Sequence, residues 1–261
     1  MDAQHSSRGT LFIIGGGPRP PELMTALGEL VDDGASVALV TLASSEPDSA
    51  WWYINRDLQA AGLHSIWHFD VRRGISNESV DSLRSAALVF LSGGDQSAFL
   101  RRADTLNIIP AILEAYQSGA VIAGTSAGAA LMSDVMISGD QHLSKEYEPT
   151  YSRLMAANAV YETGLGFLKN TIVDQHFVER SRYNRMLTAL HDHPTMTVLG
   201  IGESTAAVVS GNEVTVAGAG QVVVARNRGA VLRNSQGLIK LENVNFSVLV
   251  NGDRFLIEEK P

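Results

Sequence analysis

The chain has no cysteine among its 261 residues. Disulfide bonds, thiolate metal sites and every mechanism with a cysteine nucleophile are therefore excluded. Long apolar segments are also missing, since no stretch reaches the roughly 18 consecutive apolar residues of a membrane-spanning helix. The start MDAQHSSRGT has no apolar stretch before the first predicted strand, so we expect neither a signal peptide nor a membrane anchor. These absences predict a cytoplasmic protein that makes no membrane contact.

Positive charge is scarce as well. Twenty lysines and arginines stand against 28 aspartates and glutamates, which gives a formal net charge of −8. An acidic chain disfavours binding to the phosphate backbone of nucleic acids and weakly favours cationic or zwitterionic substrates. We therefore expect no nucleic-acid partner.

Short apolar runs, rich in β-branched residues, alternate with helical patterns in the first two thirds of the chain. They extend from TLFIIGGG near residue 10 to TVLGIGEST near residue 205, and several are apolar on both faces. Strands of this kind are typical of a parallel sheet that helices cover on both sides. The sequence thus predicts an α/β fold with a doubly wound, mostly parallel sheet over about residues 10–205.

The pattern changes after residue 205. Short strands follow one another, with Asn251 and Gly252 as a hairpin turn signal, and they predict a C-terminal antiparallel β extension over about 206–261. We expect the extension to belong to one domain that spans 1–261. Residues 133–163 show no clear strand period, and such a long connection in a compact domain is usually functional or mobile.

The segment GTSAG, residues 124–128, matches the nucleophile-elbow pattern, with AVIAG as the incoming strand and AGAALMSDV as the start of a helix. Small residues suit such a turn, because it holds the serine in a sparsely populated backbone conformation that nearby Cβ atoms would obstruct. Ser126 is the candidate nucleophile. An ordinary tight turn is the alternative that only the partners of Ser126 can exclude.

A serine hydroxyl needs a base to take its proton, and a histidine oriented by a carboxylate is the usual means. His176 follows the predicted strand TIVDQ, at a strand end where open α/β sheets build their sites. His142, in the irregular segment, is the alternative base. Asp174 and Glu203 are the candidate carboxylates. Asp174 points parallel to His176 from the same strand face, so Glu203, at another strand end, is the better candidate.

An oxyanion that forms on the substrate needs two backbone donors. Ala127, directly after the serine, supplies one of them. We assign the other to Gly94 in LSGGDQ, because paired glycines after an apolar strand let the backbone approach a ligand closely. A plain turn at these glycines is the alternative.

Three arginines, Arg180, Arg182 and Arg185, lie where a helix is predicted to begin. Positive charges at a helix N-terminus interact unfavourably with the helix macrodipole, so residues placed there only for stability would be acidic. A substrate carboxylate would explain them, since guanidinium groups bind carboxylates well. Solvated surface arginines, or a pair with Glu179, are the alternatives.

Four ordered blocks, SGGDQ, GTSAGA, DQHF followed by the three arginines, and GIGESTA, resemble the cyanophycinase family of serine peptidases. That family includes aspartyl dipeptidases and is related to class I glutamine amidotransferase folds. The resemblance implies that Ser126 is the nucleophile, His176 the base and Glu203 its orienting acid. It also implies a substrate pocket shaped by Gln96, Asp174, Gln175, Arg180, Arg182 and Arg185.

The chain departs from the family pattern at two places. The first loop reads GGGPRPPE without an early acidic residue, and Gly202 stands where an aspartate often precedes the glutamate. The loop also fails as a dinucleotide-binding fingerprint, because Pro20 occupies the third glycine position. Neither departure removes a catalytic group, but both bear on the substrate.

The resemblance implies a serine exopeptidase that hydrolyses cyanophycin, multi-L-arginyl-poly-L-aspartate, to β-Asp-Arg dipeptides through an acyl-enzyme, with no metal or organic cofactor. The partners are then cyanophycin or β-aspartyl peptides, and the sequence leaves a homodimer open. An aspartyl or isoaspartyl dipeptidase is the nearest alternative, because the same residues would serve it. A non-catalytic binding protein on the same fold is the other.

Overall fold

The computed structural model describes residues 9–146 and 148–257. Residues 1–8, most of the N-terminal segment in which we expected no signal peptide, lie outside the described residues. A large sheet forms the centre of the fold. In spatial order its eight strands are β16 (Arg254–Leu256), β11 (Glu213–Gly218), β10 (Thr205–Ser210), β1 (Thr10–Ile14), β5 (Val121–Thr125), β4 (Leu88–Leu91), β2 (Val37–Val40) and β3 (Ile66–Phe69).

Strand β1 divides this sheet into two halves. On one side β1, β5, β4, β2 and β3 pair in parallel, and on the other side β10, β11 and β16 pair antiparallel. The carboxyl ends of the five parallel strands therefore meet at one edge of the sheet, which is where α/β folds of this kind place their ligands.

Helices cover both faces of the large sheet. They are α1 (Pro21–Gly28), α2 (Pro47–Ala60), α3 (Asn77–Arg84), α4 (Gln96–Thr105), α5 (Ile109–Gln117) and α6 (Ala127–Ala130). Helix α7 (Tyr183–Asp192) packs on a second sheet instead. In β1, Leu11 and Ile13 point to a core shared with α3 to α6, whereas Phe12 and Ile14 point to a core shared with α1 and α2. Strands buried on both faces explain the continuous apolar runs of the sequence.

The second sheet has four strands, β8 (Thr171–Asp174), β9 (Thr197–Ile201), β12 (Val222–Asn227) and β15 (Val244–Leu249), of which only β8 and β9 are parallel. The sequence placed β8 and β9 in the doubly wound layer, and this placement is wrong. A buried apolar strand looks the same in either sheet. The pairing depends instead on distant contacts, with Ile172 and Val198 packing on Met186 of α7, while Val173 and Leu199 join the large core.

The strands after residue 205 are divided between the two sheets. Strands β10, β11 and β16 continue the large sheet, and β12 and β15 complete the second. Strands β13 (Val231–Arg233) and β14 (Ile239–Leu241) form a separate two-stranded sheet. Residues 133–163, which show no clear strand period in the sequence, contain two strands. Strands β6 (Val135–Gln141) and β7 (Ala159–Thr163) form an antiparallel ribbon with an irregularity between Ile137 and Gln141. Such an irregularity breaks the alternation of side chains from which a strand is predicted.

Within the described part of the chain, no helix has the length and apolar character needed to cross a bilayer.

Candidate active site

Ser126 lies in the turn between β5 and α6, with φ 53° and ψ −111°. The predicted strand–turn–helix context is therefore confirmed. A methyl group on Gly124 would lie 2.5 Å from the carbonyl oxygen of Gly128, and one on Gly128 would lie 2.3 Å from that of Leu91. The small residues around Ser126 thus let the backbone segments approach each other and hold a conformation that costs on the order of 1–3 kcal/mol.

His176 meets Ser126 across the two sheets. It follows β8 by two residues, and its Nε2 lies 2.8 Å from Ser126 Oγ. Its backbone also has a positive φ, 47°, and its N–H donates to the carbonyl oxygen of Gly15 at 2.6 Å. This backbone bond ties the end of β8 to the end of β1, and it brings the imidazole from the second sheet to the serine of the large sheet.

Glu203 orients the imidazole from the other side. Its Oε1 lies 2.5 Å from His176 Nδ1. A carboxylate at this position accepts a hydrogen bond from Nδ1–H and so favours the tautomer in which Nε2 keeps its lone pair for the hydroxyl of Ser126. Asp174, the other carboxylate that the sequence left open, contacts arginines instead. His142 is exposed and lines a separate cavity with His191 and His193.

The surroundings of His176 favour its neutral form. The imidazole is largely buried, with a side-chain exposure of 10%. Burial has the largest influence and lowers the pKa of His176 below its usual value, and the hydrogen bond to Glu203 works in the opposite direction. The positive charge of Arg180 lowers the pKa further. A neutral imidazole can accept the proton of Ser126, which is what a general base must do.

The glycine loop, residues Gly15–Gly17, supports this pair of residues. A methyl group on Gly16 would lie 2.4 Å from His176 Cε1, and one on Gly17 would lie 2.3 Å from Glu203 Oε2. Both glycines have positive φ, 111° and 69°. Sequence reasoning missed this role and treated the loop only as a departure from a pattern. Three consecutive glycines directly after a buried strand were the available signal of a close approach.

The turn after β4 brings two glycines near Ser126. A methyl group on Gly93 would lie 3.4 Å from Ser126 Cβ, whereas one on Gly94 would lie 2.1 Å from the carbonyl oxygen of Ala43. Gly94 thus packs against the loop after β2, and Gly93 is the one that faces the serine. No hydrogen-bond acceptor in residues 9–146 and 148–257 meets the N–H of Gly93, Gly94 or Ala127.

Gln96 begins α4 directly after this turn and is buried. Its Nε2 donates to the carbonyl oxygens of Ile137 at 2.9 Å and Ser138 at 2.7 Å. Both amide hydrogens therefore hold the irregular part of β6 against the glycine turn. Only the amide oxygen of Gln96 is left to contact a substrate.

Asp174, Arg182 and Arg185 form a buried ion cluster. Asp174 is fully buried and the two arginine side chains are each 2% exposed. Asp174 accepts from Arg185 through both carboxylate oxygens, at 2.5 and 3.1 Å, and from Arg182 at 3.2 Å. The cluster explains why Arg182 and Arg185 are placed at the start of α7, and this explanation needs no substrate carboxylate. Their partner is Asp174, which the sequence had grouped with them in the pocket, and not Glu179.

Arg182 and Gln175 link this cluster to the segment between β6 and β7. Arg182 donates to both the backbone and side-chain oxygens of Gln175, at 2.6 and 2.8 Å, and to the carbonyl oxygen of Pro149 at 3.1 Å. Asn184 donates to the carbonyl oxygen of Tyr151 at 2.6 Å. The middle of the long connection is thereby fixed to the turn that carries His176.

Arg180 differs from the other two arginines. Its side chain is half-buried, and its charge acts on the imidazole of His176. It is the most exposed of the three arginines. Among the described residues, no group of three or more His, Asp or Glu side chains is arranged to hold a metal ion.

Comparisons with known proteins point to one group. The model of the family described as Peptidase family S51 matches residues 11–217. A cyanophycinase of Geminocystis herdmanii is 31% identical over 231 residues, which cover 85% of this chain and 82% of the relative. A cyanophycinase of Trichormus variabilis is 28% identical over 274 residues, which cover 100% of this chain and 89% of the relative.

Two solved structures share the fold. A peptidase from an acI-B1 actinobacterium superposes with a TM-score of 0.65 at 23% identity, over 97% of this chain and 99% of that one. A putative peptidase E protein from Listeria monocytogenes gives a TM-score of 0.56 at 16% identity, over 82% of this chain and 100% of that one.

Proposed function

The chain belongs to peptidase family S51 and is therefore a peptidase, and we propose that it is a serine exopeptidase with Ser126, His176 and Glu203 as its catalytic triad. The chain of hydrogen bonds from Ser126 Oγ through both nitrogens of His176 to Glu203 carries this proposal. Each contact is within normal hydrogen-bond distance, and each residue has the position that its role requires.

In the first step Ser126 Oγ attacks the scissile carbonyl carbon, and His176 Nε2 takes the hydroxyl proton. The new C–O bond forms a tetrahedral oxyanion, which we assign to the N–H groups of Ala127 and Gly94, with Gly93 as a further donor next to the serine. When the C–N bond breaks, His176 returns its proton to the leaving amine. Glu203 stabilises the imidazolium between the two transfers.

The second half of the reaction releases the acyl group. A water molecule loses its proton to His176 and attacks the ester carbon of the acyl-enzyme. The C–O bond to Ser126 then breaks, and the proton on Nε2 returns to Ser126 Oγ. Every proton transfer in this cycle uses the same nitrogen, so the position of His176 determines both halves.

We propose cyanophycin as the substrate and β-Asp-Arg dipeptides as the product, and the names of the 28–31% identical relatives support this choice. We assign Arg180 to a substrate carboxylate, because its side chain is half-buried and its charge acts on the imidazole of His176. Gln96, Asp174 and Gln175 would then shape the pocket mainly by fixing the surrounding backbone.

Incubating the purified protein with cyanophycin, and separately with the free β-Asp-Arg dipeptide, tests this proposal when mass spectrometry identifies the products. Release of β-Asp-Arg from the polymer, with none from Ser126→Ala, is the expected result. Cleavage of the dipeptide alone to aspartate and arginine would replace the polymer substrate by the isoaspartyl dipeptidase alternative. If neither substrate is cleaved, the proposed substrate class is wrong.

A further inference from the structure

Glu179, an exposed residue three positions after His176, contacts the backbone of the triad acid. Its Oε2 accepts a hydrogen bond from the N–H of Glu203 at 3.0 Å. Its other oxygen lies 3.6 Å from the place that a methyl group on Gly202 would occupy. The carboxylate of Glu179 therefore lies beside the backbone of both residues 202 and 203, at a distance where a methyl group on Gly202 would make an ordinary van der Waals contact with it.

Three successive N–H groups around the triad acid have partners. Gly202 donates to the carbonyl oxygen of Gln221 at 2.9 Å, and Ser204 donates to that of Gly16 at 3.0 Å. These two bonds hold the segment to the residue that precedes β12 and to the glycine loop. The middle N–H, that of Glu203, is the one whose acceptor is a side chain. Its bond can be removed by substitution without changing the main chain.

The direction of the Glu203 side chain depends on this segment. Ser204 has a positive φ, 54°, so the chain turns sharply just after the triad acid, and the side chain must still reach His176 Nδ1 at 2.5 Å. Gly17 restricts the carboxylate on one side. A rotation of the peptide between 202 and 203 would move Glu203 away from the imidazole, and the bond to Glu179 opposes that rotation.

We propose that Glu179 is a positioning residue, which fixes the peptide N–H of Glu203 and so holds the triad acid on His176. This inference rests on the catalytic triad in the proposed function but not on the choice of substrate. The role requires an acceptor oxygen at the tip of a side chain of this length. It does not require the negative charge.

Three substitutions separate the acceptor from the charge. Glu179→Gln keeps an acceptor oxygen at the same distance and removes the charge. Glu179→Asp keeps the charge and draws the oxygen back by one methylene, and Glu179→Ala removes both. Glu29→Gln and Glu29→Ala are matched controls, because Glu29 is an exposed glutamate at the end of α1, away from the glycine loop.

The first readout is the rate at which a serine-directed organophosphorus reagent labels Ser126, located by mass spectrometry, because it needs no substrate. We expect Glu179→Ala and Glu179→Asp to slow labelling about threefold to tenfold, as for the loss of one hydrogen bond, and Glu179→Gln to stay within about twofold of the parent. With cyanophycin, kcat should fall by the same factor and KM should not change. The Glu29 controls should match the parent in both assays.

Parent-like labelling of Glu179→Ala overturns the inference. An equal loss in Glu179→Gln and Glu179→Ala overturns it too, since the charge would then matter rather than the acceptor. Slower labelling in Glu179→Ala and Glu179→Asp, together with no cleavage of any β-aspartyl substrate by the parent, would leave the positioning role in place and refute the substrate. A parent that is not labelled at Ser126 would refute the triad and this inference together.

Discussion

Gly16 packs against the imidazole of His176 so closely that a methyl group on its Cα would lie 2.4 Å from Cε1 of the ring. We predict that Gly16→Ala displaces the imidazole from Ser126 and lowers kcat about a hundredfold, because a shift of about 1 Å in a catalytic group has an effect of this size. Gly34→Ala is the control, since Gly34 also has a positive φ, 75°, but no atom lies within 4 Å of the added methyl.

Steady-state kinetics and thermal unfolding of the two glycine variants check this prediction. Both variants introduce a Cβ at a positive φ, which costs about 1 kcal/mol of stability, so both should melt slightly below the parent. Only Gly16→Ala should lose activity. Normal turnover in Gly16→Ala would mean that the loop does not position His176.

The proposed triad predicts a graded and non-additive loss of activity. His176→Ala removes the base, and we expect kcat to fall on the order of 10⁴-fold or more, whereas Glu203→Gln removes only orientation and charge and should cost less. The double variant should be little worse than His176→Ala alone. His142→Ala is the control, since His142 is exposed and lines a different cavity. A larger loss from His142→Ala than from His176→Ala would refute the assignment of the base.

The pH dependence of kcat/KM should respond to two substitutions in opposite directions. The acid limb reports deprotonation of His176 in the free enzyme, and burial places that limb below the usual imidazole range. Glu203 raises the pKa of His176, so Glu203→Gln should move the limb to lower pH. Arg180 lowers it, so Arg180→Met should move the limb to higher pH. Shifts of the same sign would mean that another group controls the limb.

The arginines should separate into two classes. Arg185→Met leaves the fully buried Asp174 with Arg182, at 3.2 Å, and the N–H of Gln175, at 3.0 Å, as its partners, both on Oδ1, so we expect the free energy of unfolding to fall by about 3–5 kcal/mol. Arg180→Met should act on catalysis and lower kcat/KM about tenfold to a hundredfold, which corresponds to about 1.5–3 kcal/mol for a charge-assisted pair.

Denaturant unfolding and kinetics of both arginine variants provide the measurement, with Arg101→Met as an exposed control on α4. Normal stability in Arg185→Met would contradict the cluster. Normal kinetics in Arg180→Met would remove the proposed carboxylate contact, and no arginine of the three would then remain as its candidate.

Residues with special backbone requirements were the most predictable part of the site. GTSAG fixed the position of Ser126, because small residues on both sides of a serine have a direct steric reason there. From the sequence, Glu203 and Asp174 could be compared as the triad acid only by the geometry of their strands. In the structure Glu203 contacts His176, whereas Asp174 contacts Arg185. The three consecutive glycines signalled a close approach but not that His176 would be the partner of Gly16, and the contact of Glu179 with Glu203 had no local signal, since the residues in each contact lie far apart in sequence.

The sequence by itself determined the chemistry, namely a serine in a crowded turn, a histidine and a carboxylate at strand ends, and apolar runs that require a sheet covered on both faces. The tertiary structure decided which strands pair and which groups meet. Ser126 and His176 are 50 residues apart, and His176 and Glu203 are 27 apart. They meet because a backbone bond from His176 to Gly15 joins the two sheets. Local patterns encode the conformation of a segment, but contacts of this range depend on how the separate segments pack.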